Sequence, residues 1–328
     1  MDAPRYATIR NPSRVHDLRL PVNARPLRIS KGMSVEDAFR VTLLECLAHV
    51  AANVASVTRA REIEGLHQLR VGLRRLAVAF SAFGEEFRTP AQRELQGRTK
   101  AFSEAIAPAR DLDVFADELL PPVVKGMGDD GAFALLRERL VRAREDAWER
   151  AVESVSSVEF AVLLDDVAVA AQSRPWAGDD LRSRIAVRAP VKSVAARLLD
   201  EYLIKARKRG RQIKGLEQRD CHRLRISLKK LRYAAEFYGP LFRKKRVKSY
   251  INSIKKLQDL LGALNDAGQV RAILSQLTCG DMPGAHAQAD LFFASGLVNG
   301  WHCARATRMG KSAIKNWDKL RRTEPFWT

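Results

Sequence analysis

Ten residues, His67-Gln-Leu-Arg-Val-Gly-Leu-Arg-Arg-Leu76, return as His222-Arg-Leu-Arg-Ile-Ser-Leu-Lys-Lys-Leu231, a constant offset of 155 positions. The same offset pairs Phe83 with Tyr238, Gly84 with Gly239 and Phe87 with Phe242. It still holds far downstream, where Arg110-Asp111 falls on Asn265-Asp266 and Lys100 on Lys255. A gapless offset kept over more than forty residues is read as an internal duplication, which constrains the fold more than any local propensity does. The chain must then be built as two similar halves, each of ordinary domain size.

Placed on a helix at about 100° per residue, His67, Arg70 and Arg74 fall within about 60° of one another, and Arg75 lies about 80° to the other side of His67. Leu69, Leu73 and Leu76 cluster on the opposite face. One face therefore packs, and the other is basic with no acid among the ten residues. Solvated helix faces usually mix signs, because acid–base pairs one turn apart stabilise them. A face of His and Arg alone repels itself unless an anion lies on it. His67 to Arg75 spans about 12 Å of axis, long enough to follow several linked phosphates.

Charge supports that reading. Lys plus Arg number 57 against 38 for Asp plus Glu, a net +19, and such an excess attracts polyanions. It is concentrated in the second half: 19 Lys/Arg and three acids lie between Lys205 and Lys256. With 46% hydrophobic residues, the chain can still bury a sizeable core.

Breakers and apolar spacing give helices throughout. Residues 1 to about 30, with Pro4, Pro12, Pro21 and Pro26, read as an extended basic lead-in. Ser34 caps a helix from Val35 to about Arg61, with Asp37 three residues on. The His67 helix ends near Gly84, and Pro90 opens the next, running to Ala107. Pro108-Ala-Arg-Asp-Leu-Asp is expected to break it, Pro121-Pro122 and Gly126–Gly131 to form a loop, and Phe133–Val155 and 158–172 to be helical. Ser173-Arg-Pro-Trp-Ala-Gly separates the halves. Then come helices over Val191–Lys208, His222–Tyr238 and Val247–Leu261, a break at Asn265-Asp266, and a last helix from 285 to 320. Arg243-Lys-Lys-Arg246 is placed in a loop. The fold class is all-α, with a first bundle over 31–172 and a second over 180–328.

Other chemistries find little support. Cys46, Cys221, Cys279 and Cys303 show no C-x-x-C spacing, as in a reducing compartment. No apolar run approaches the about 18 residues needed to span a bilayer, and a cytoplasmic protein is expected. His67 and His222 have no His, Cys or carboxylate three or four residues on, and Arg70 and Arg74 would repel a cation, so no metal is expected. Asp111, Asp113 and Asp266 are read as helix caps rather than acid–base catalysts. No catalytic triad, P-loop or G-x-G-x-x-G is present, and neither enzymatic activity nor a cofactor is expected. A histidine set among arginines should bind an anion more tightly as pH falls toward about 6. Nucleic acid is the rival ligand. Against it, aromatics are 7% of residues and the two basic decapeptides hold none on which a base could stack.

The doubled His-x-x-Arg-x-x-x-(Arg/Lys)-(Arg/Lys)-Leu motif, with Phe83-Gly84, Leu231-Arg-Tyr233, Pro108-Ala-Arg-Asp-Leu-Asp113, Leu261-Gly-Ala-Leu-Asn-Asp266 and the terminal Pro325-Phe-Trp327, resembles the CHAD domain, the conserved histidine α-helical domain. The resemblance covers about residues 30 to 327. It implies two four-helix bundles related by a pseudo-twofold, a basic central channel, inorganic polyphosphate as ligand and association with polyphosphate granules. By position it implies contacts from His67, Arg70, Arg74 and Arg75 on one side, and from His222, Arg225, Lys229, Lys230 and Arg232 on the other. Lys255, Lys256 and Lys100 are expected to add to them. Ala77 stands where the second copy has Arg232. A CHAD domain is often joined to a triphosphatase module carrying E-x-E-x-K; here Glu62-Ile-Glu64-Gly-Leu66 lacks the lysine, which implies binding without hydrolysis.

Overall fold

A computed structural model describes residues 20–84, 89–128, 131–173, 181–280 and 284–328, and only the backbone of 181–183. The expectations for residues 1–19, Phe87, the separator 174–180 and the turn at 281–283 fall outside them. The described chain is helical: α1 Val35–Thr58, α2 Ile63–Ala82, α3 Pro90–Ala105, α4 Ala107–Val114, α5 Leu120–Met127, α6 Ala134–Ser156, α7 Val158–Ser173, α8 Leu181–Arg188, α9 Val191–Gly210, α10 Gln218–Tyr238, α11 Lys244–Leu277 and α12 Ala285–Arg322. No strand occurs among the described residues, only an isolated bridge between Ser34 and Pro190.

Local chemistry sets the starts. Ser34 Oγ accepts from Asp37 N at 3.0 Å and caps α1, and Thr89 Oγ1 accepts from Gln92 N at 3.3 Å ahead of Pro90. Two expected breaks are absent. Ile106 keeps a near-helical backbone (φ −88°, ψ 0°), and α4 begins at once with Pro108 in its first turn, where a missing N–H forfeits no bond. A π-helical turn, Phe115–Leu119, then leads into α5, whose first turn holds Pro121-Pro122. The position equivalent to Pro108 in the second half is Ala263. Nothing interrupts the chain there, so α11 runs for 34 residues with Asn265-Asp266 in its interior. Arg243 and Lys244–Arg246 are the N-cap and first turn of that helix rather than a loop.

α1, α2, α3, α4, α6 and α7 pack together, and α9–α12 form the second group. The leucine face of the repeated stretch goes where the sequence placed it: Leu66, Leu69, Leu73 and Leu76 are fully buried, as are Leu224, Leu228 and Leu231. Each such side chain contributes about 1.5–3 kcal/mol of burial. Buried residues from Leu27 to Trp327 form one contiguous core, so the two halves are not independent. Tyr238 Oη donates to Ala82 O and Tyr202 Oη to Ser81 O, both at 2.8 Å, across the junction. Reciprocal bonds tie the starts of α1 and α9, from Val35 N to Ala189 O and from Val191 N to Met33 O, each 2.9 Å.

Part of the lead-in belongs to this core. Leu27 and Ile29 are buried, and Asn53 both accepts from Val22 N and donates to Val22 O at 2.9 Å. α1 is long and apolar enough to cross a bilayer by length and composition, against the expectation that no stretch approaches that length. In the fold it is a core helix, half of that window being buried under α2, α6, α7 and α8.

Candidate functional site

α2 and α10, the two helices carrying the repeated stretch, touch each other. Their leucines face their own bundles, which leaves the basic faces to meet. Lys229 records the meeting. Its ammonium is held down to about 7, first by burial and then by Arg225, Arg74, Arg70 and Arg232. Two of those guanidiniums come from α2 and two from α10. Removing a charged amine from water and surrounding it with like charge both favour its neutral form. Arg225 is likewise lowered by burial and by Arg74, and Arg70 by burial and then by Arg74 and Arg110, though arginine stays charged.

The basic faces are not free of acids, and the acids that address Arg70 and Arg225 come from other helices. Arg70 Nη1 donates to Asp111 Oδ1 at 3.0 Å and to Ala107 O at 3.3 Å, both on α4. In the second half Asp266 is the carboxylate that acts most strongly on Arg225, and a Cβ on Gly262 would lie 3.7 Å from Arg225 Nη2. Asp266 and Gly262 stand at the offset positions of Asp111 and Ala107. The histidines follow suit. His222 Nδ1 is 2.8 Å from Asn265 Oδ1. At the equivalent place His67 faces Arg110, which, after burial, is what most lowers its pKa, with Arg74 and Arg70 adding and Glu64 opposing. Asp111 is thus an ion-pair partner of Arg70 and Asp266 a charge acting on Arg225, both inside their helices rather than the caps expected of them. Asp113 is fully buried and accepts from Arg144 Nε at 2.7 Å and Trp148 Nε1 at 3.1 Å, fixing α4 to α6.

The predicted residues divide into three groups. Arg70, Arg74, Arg225, Lys229 and Arg232 converge, and His67 lies by Arg70 and Arg74. Arg74 has no carboxylate partner among the described residues. The Nε atoms of Arg70, Arg74, Arg225 and Arg232 are buried with no hydrogen-bond partner, and a buried donor left unmade is costly. Arg75 departs from the group. It is 8% exposed, donates to Glu236 Oε2 at 2.9 Å and lies over the Phe237 ring at 5.3 Å. Its position off the His67–Arg70–Arg74 stripe turns it into the α2–α10 seam, where Glu236 also accepts from Arg232 Nη1 at 3.0 Å.

Lys100, Lys230, Lys255 and Lys256 are exposed. Lys255 shares the face of α11 that carries Asp259, Gly262 and Asp266, the face that addresses Arg225. Lys256 is turned about 100° from it. Two further cations belong to this neighbourhood. Arg110 pairs with Glu118 at 3.2 Å, and Arg305 on α12 acts on Asp266, whose carboxyl is raised chiefly by burial. The offset that matched Arg110 to Asn265 pointed to the first; no sequence signal pointed to Arg305. Among the described residues no three His, Cys, Asp or Glu converge as a metal site would need.

Comparison with known proteins agrees with this architecture. The crystal structure of the CHAD domain from the plant Ricinus communis superposes with a TM-score of 0.76 at 22% identity, covering 93% of this chain and 98% of that one. PptA from Streptomyces chartreusis superposes with a TM-score of 0.63 at 18% identity, covering 87% and 99%. No curated protein matches by sequence. The family model of the CHAD domain matches residues 42–275, a span that holds both copies of the basic motif, and the chain belongs to the CHAD family.

Proposed function

We propose that this protein binds inorganic polyphosphate on the basic faces of α2 and α10. One observation carries the reading: five cations from two helices, Arg70, Arg74, Arg225, Lys229 and Arg232, lie together, and burial first and then the four guanidiniums drive Lys229 down to about 7. Four of them hold buried Nε–H groups that no protein acceptor satisfies. A linear phosphate chain supplies what is missing, namely closely spaced negative oxygens. Arginine takes two of them in its planar fork and lysine takes one as a point charge. His67 and His222 would add donors when protonated. Lys255, on the stripe facing Arg225, extends the track, with Lys100, Lys230 and Lys256 as outlying charge. Binding of this kind is electrostatic and geometric, with no chemical step, and it would place the protein at polyphosphate granules.

The test is competition at about 150 mM salt, where weak surface attraction is screened. Labelled long-chain polyphosphate is challenged with unlabelled single-stranded and duplex DNA at equal phosphate, using wild type and an Arg74→Ala/Arg225→Ala variant. The expected result is that DNA competes poorly and the variant loses most of its affinity. Equal competition by DNA, with the variant binding as wild type does, would replace this reading with a generic basic surface acting on nucleic acid.

A further inference from the structure

A second concentration of charge lies on α9, the turn that follows it, and α12. Between Lys205 and Lys214 the chain carries six Lys/Arg and no acid, and between Arg308 and Arg322 another six with Asp318 alone against them. The fold brings these stretches together. The end of α12 runs back along α9: Arg207 Nη2 donates to Arg321 O at 3.1 Å, and Trp327 Nε1 to Asp200 Oδ1 at 2.9 Å. Between them lies a recess of about 440 Å3 lined by Arg207, Gly210, Arg211, Lys214, Trp317 and Arg321, within the size range of ligand sites. Its one carboxylate, Asp318, is occupied by Arg321 Nε at 2.6 Å.

Helix C-termini commonly carry a cation or two that offset the helix dipole. Six on each of two adjoining stretches is far more than that role uses, and Asp318 alone among the lining residues sets a negative charge against them. The floor of the recess says what kind of anion fits. Trp317 is 3% exposed and its ring lies on Gly210, where a Cβ would come within 2.0 Å. With its face sealed against the backbone, it offers no platform for a nucleobase. A phosphate chain without bases meets the charge and needs no platform.

We infer that the α9–α12 recess is a second binding site for a polyphosphate chain, sharing no residue with the α2–α10 cluster. The identity of the ligand rests on the reading proposed above; the existence of the site does not depend on that cluster. One long chain engaged at both places binds the second site intramolecularly, so long chains are held far more tightly than short ones.

Calorimetric titration with tripolyphosphate, then with long-chain polyphosphate, tests this in wild type, Arg211→Glu/Lys214→Glu and Arg74→Ala/Arg225→Ala. Arg211 and Lys214 are exposed, and the milder Arg211→Gln/Lys214→Gln variant guards against a folding effect. The expected result is two tripolyphosphate equivalents in wild type and one in each variant, with long-chain affinity falling roughly tenfold or more in the recess variants. An unchanged stoichiometry and long-chain affinity in both recess variants overturns the second site. Loss in those variants with none in Arg74→Ala/Arg225→Ala keeps the recess and overturns the α2–α10 cluster instead.

Discussion

Arg70 and Asp111 are joined at 3.0 Å across a separation of 41 residues, the separation that also divides Arg225 from Asp266, its chief acidic partner. Asp111 pins one edge of a guanidinium that belongs to the basic cluster, Asp266 acts on the other by charge, and the Nε of each arginine is left buried and unpartnered. The acids therefore do two opposed things: they subtract charge and they fix the direction of the fork. For Asp111→Asn and Asp266→Asn the expectation is tighter binding of any polyanion at low salt, together with poorer discrimination. The preference for polyphosphate over single-stranded DNA should fall about tenfold for the double variant, the equivalent of one charge-assisted hydrogen bond of orientation. Paired titrations at two salt concentrations check it; an unchanged preference would make the carboxylates passive counter-charges.

Lys229 ties function to a cost in stability. Its value in the fold is about 7 against an ordinary 10.5, so between those values the unfolded chain binds a proton that the folded chain does not. Stability must then rise as pH rises from about 7 toward 10. Lys229→Met removes the term. It should raise the melting temperature by a few degrees at pH 6 to 7, with the difference shrinking by pH 10, while weakening polyphosphate binding. Thermal melts across that pH range decide the matter, and a difference independent of pH would remove Lys229 from the charged cluster.

The same residue sets the pH dependence of binding. A polyanion restores the counter-charge that Lys229 lacks, raising its pKa, so binding takes up a proton. Affinity should hold steady just below pH 7 and weaken as pH climbs from 7 to 9, by up to about tenfold per unit. His67, whose pKa is lowered by burial and Arg110, adds a further strengthening below its ordinary 6.5. The histidine effect alone was legible from the sequence. Lys229→Arg should flatten the alkaline limb and leave the acidic one.

Much of this was written in single residues, and what was not was written between them. Ser34, Pro90 and the leucine faces of α2 and α10 act within a few residues of themselves, so helix starts and packing faces could be read directly. Pro108 misled because a proline does the same thing at a break and in a first turn, and only the approach of α4 to Arg70 decides which. The acidic partners of the basic face were hidden for a different reason. Asp111 and Asp266 sit 41 residues away, and Glu236 reaches Arg75 from the other half, a contact that exists only once α2 and α10 meet. Arg75 and Arg74 are neighbours in sequence, but about 100° of helix separates a seam residue from a cluster residue.

Asp113 is the anchor on which the Asp111 geometry depends. It is fully buried, and its Oδ1 accepts from both Arg144 Nε and Trp148 Nε1. Asp113→Ala strands a guanidinium and an indole N–H in the junction of α4 and α6. Breaking a buried charged pair from one side costs about 3–5 kcal/mol; with Arg144 partly exposed, the lower end, about 3 kcal/mol, is expected in denaturant titration. Polyphosphate affinity should drop with it, because α4 carries Asp111 and Arg110. A loss of stability with affinity intact would mean that α4 does not position the cluster.

Gly210→Ala tests the other end of the molecule. Gly210 closes α9 in contact with Trp317, and an added Cβ would fall 2.0 Å from the indole Cζ2 and 2.2 Å from Cε2. Neither partner can yield easily. The indole is buried, and the backbone beside it leads directly into the Ile213–Gly215 turn and on to α10. Overpacking of this kind costs about 1–3 kcal/mol, and the relief available is displacement of the end of α12 from α9. That displacement would stretch the Arg207–Arg321 bond and widen the recess. Gly210→Ala should therefore lower the melting temperature and speed hydrogen exchange at the C-terminal turns of α9 and α12. Protection at α2 should remain as in wild type, since it packs chiefly against α1, α3, α10 and α4. Exchange that accelerates evenly across both halves would instead mean that the α9–α12 contact is an inseparable part of the shared core.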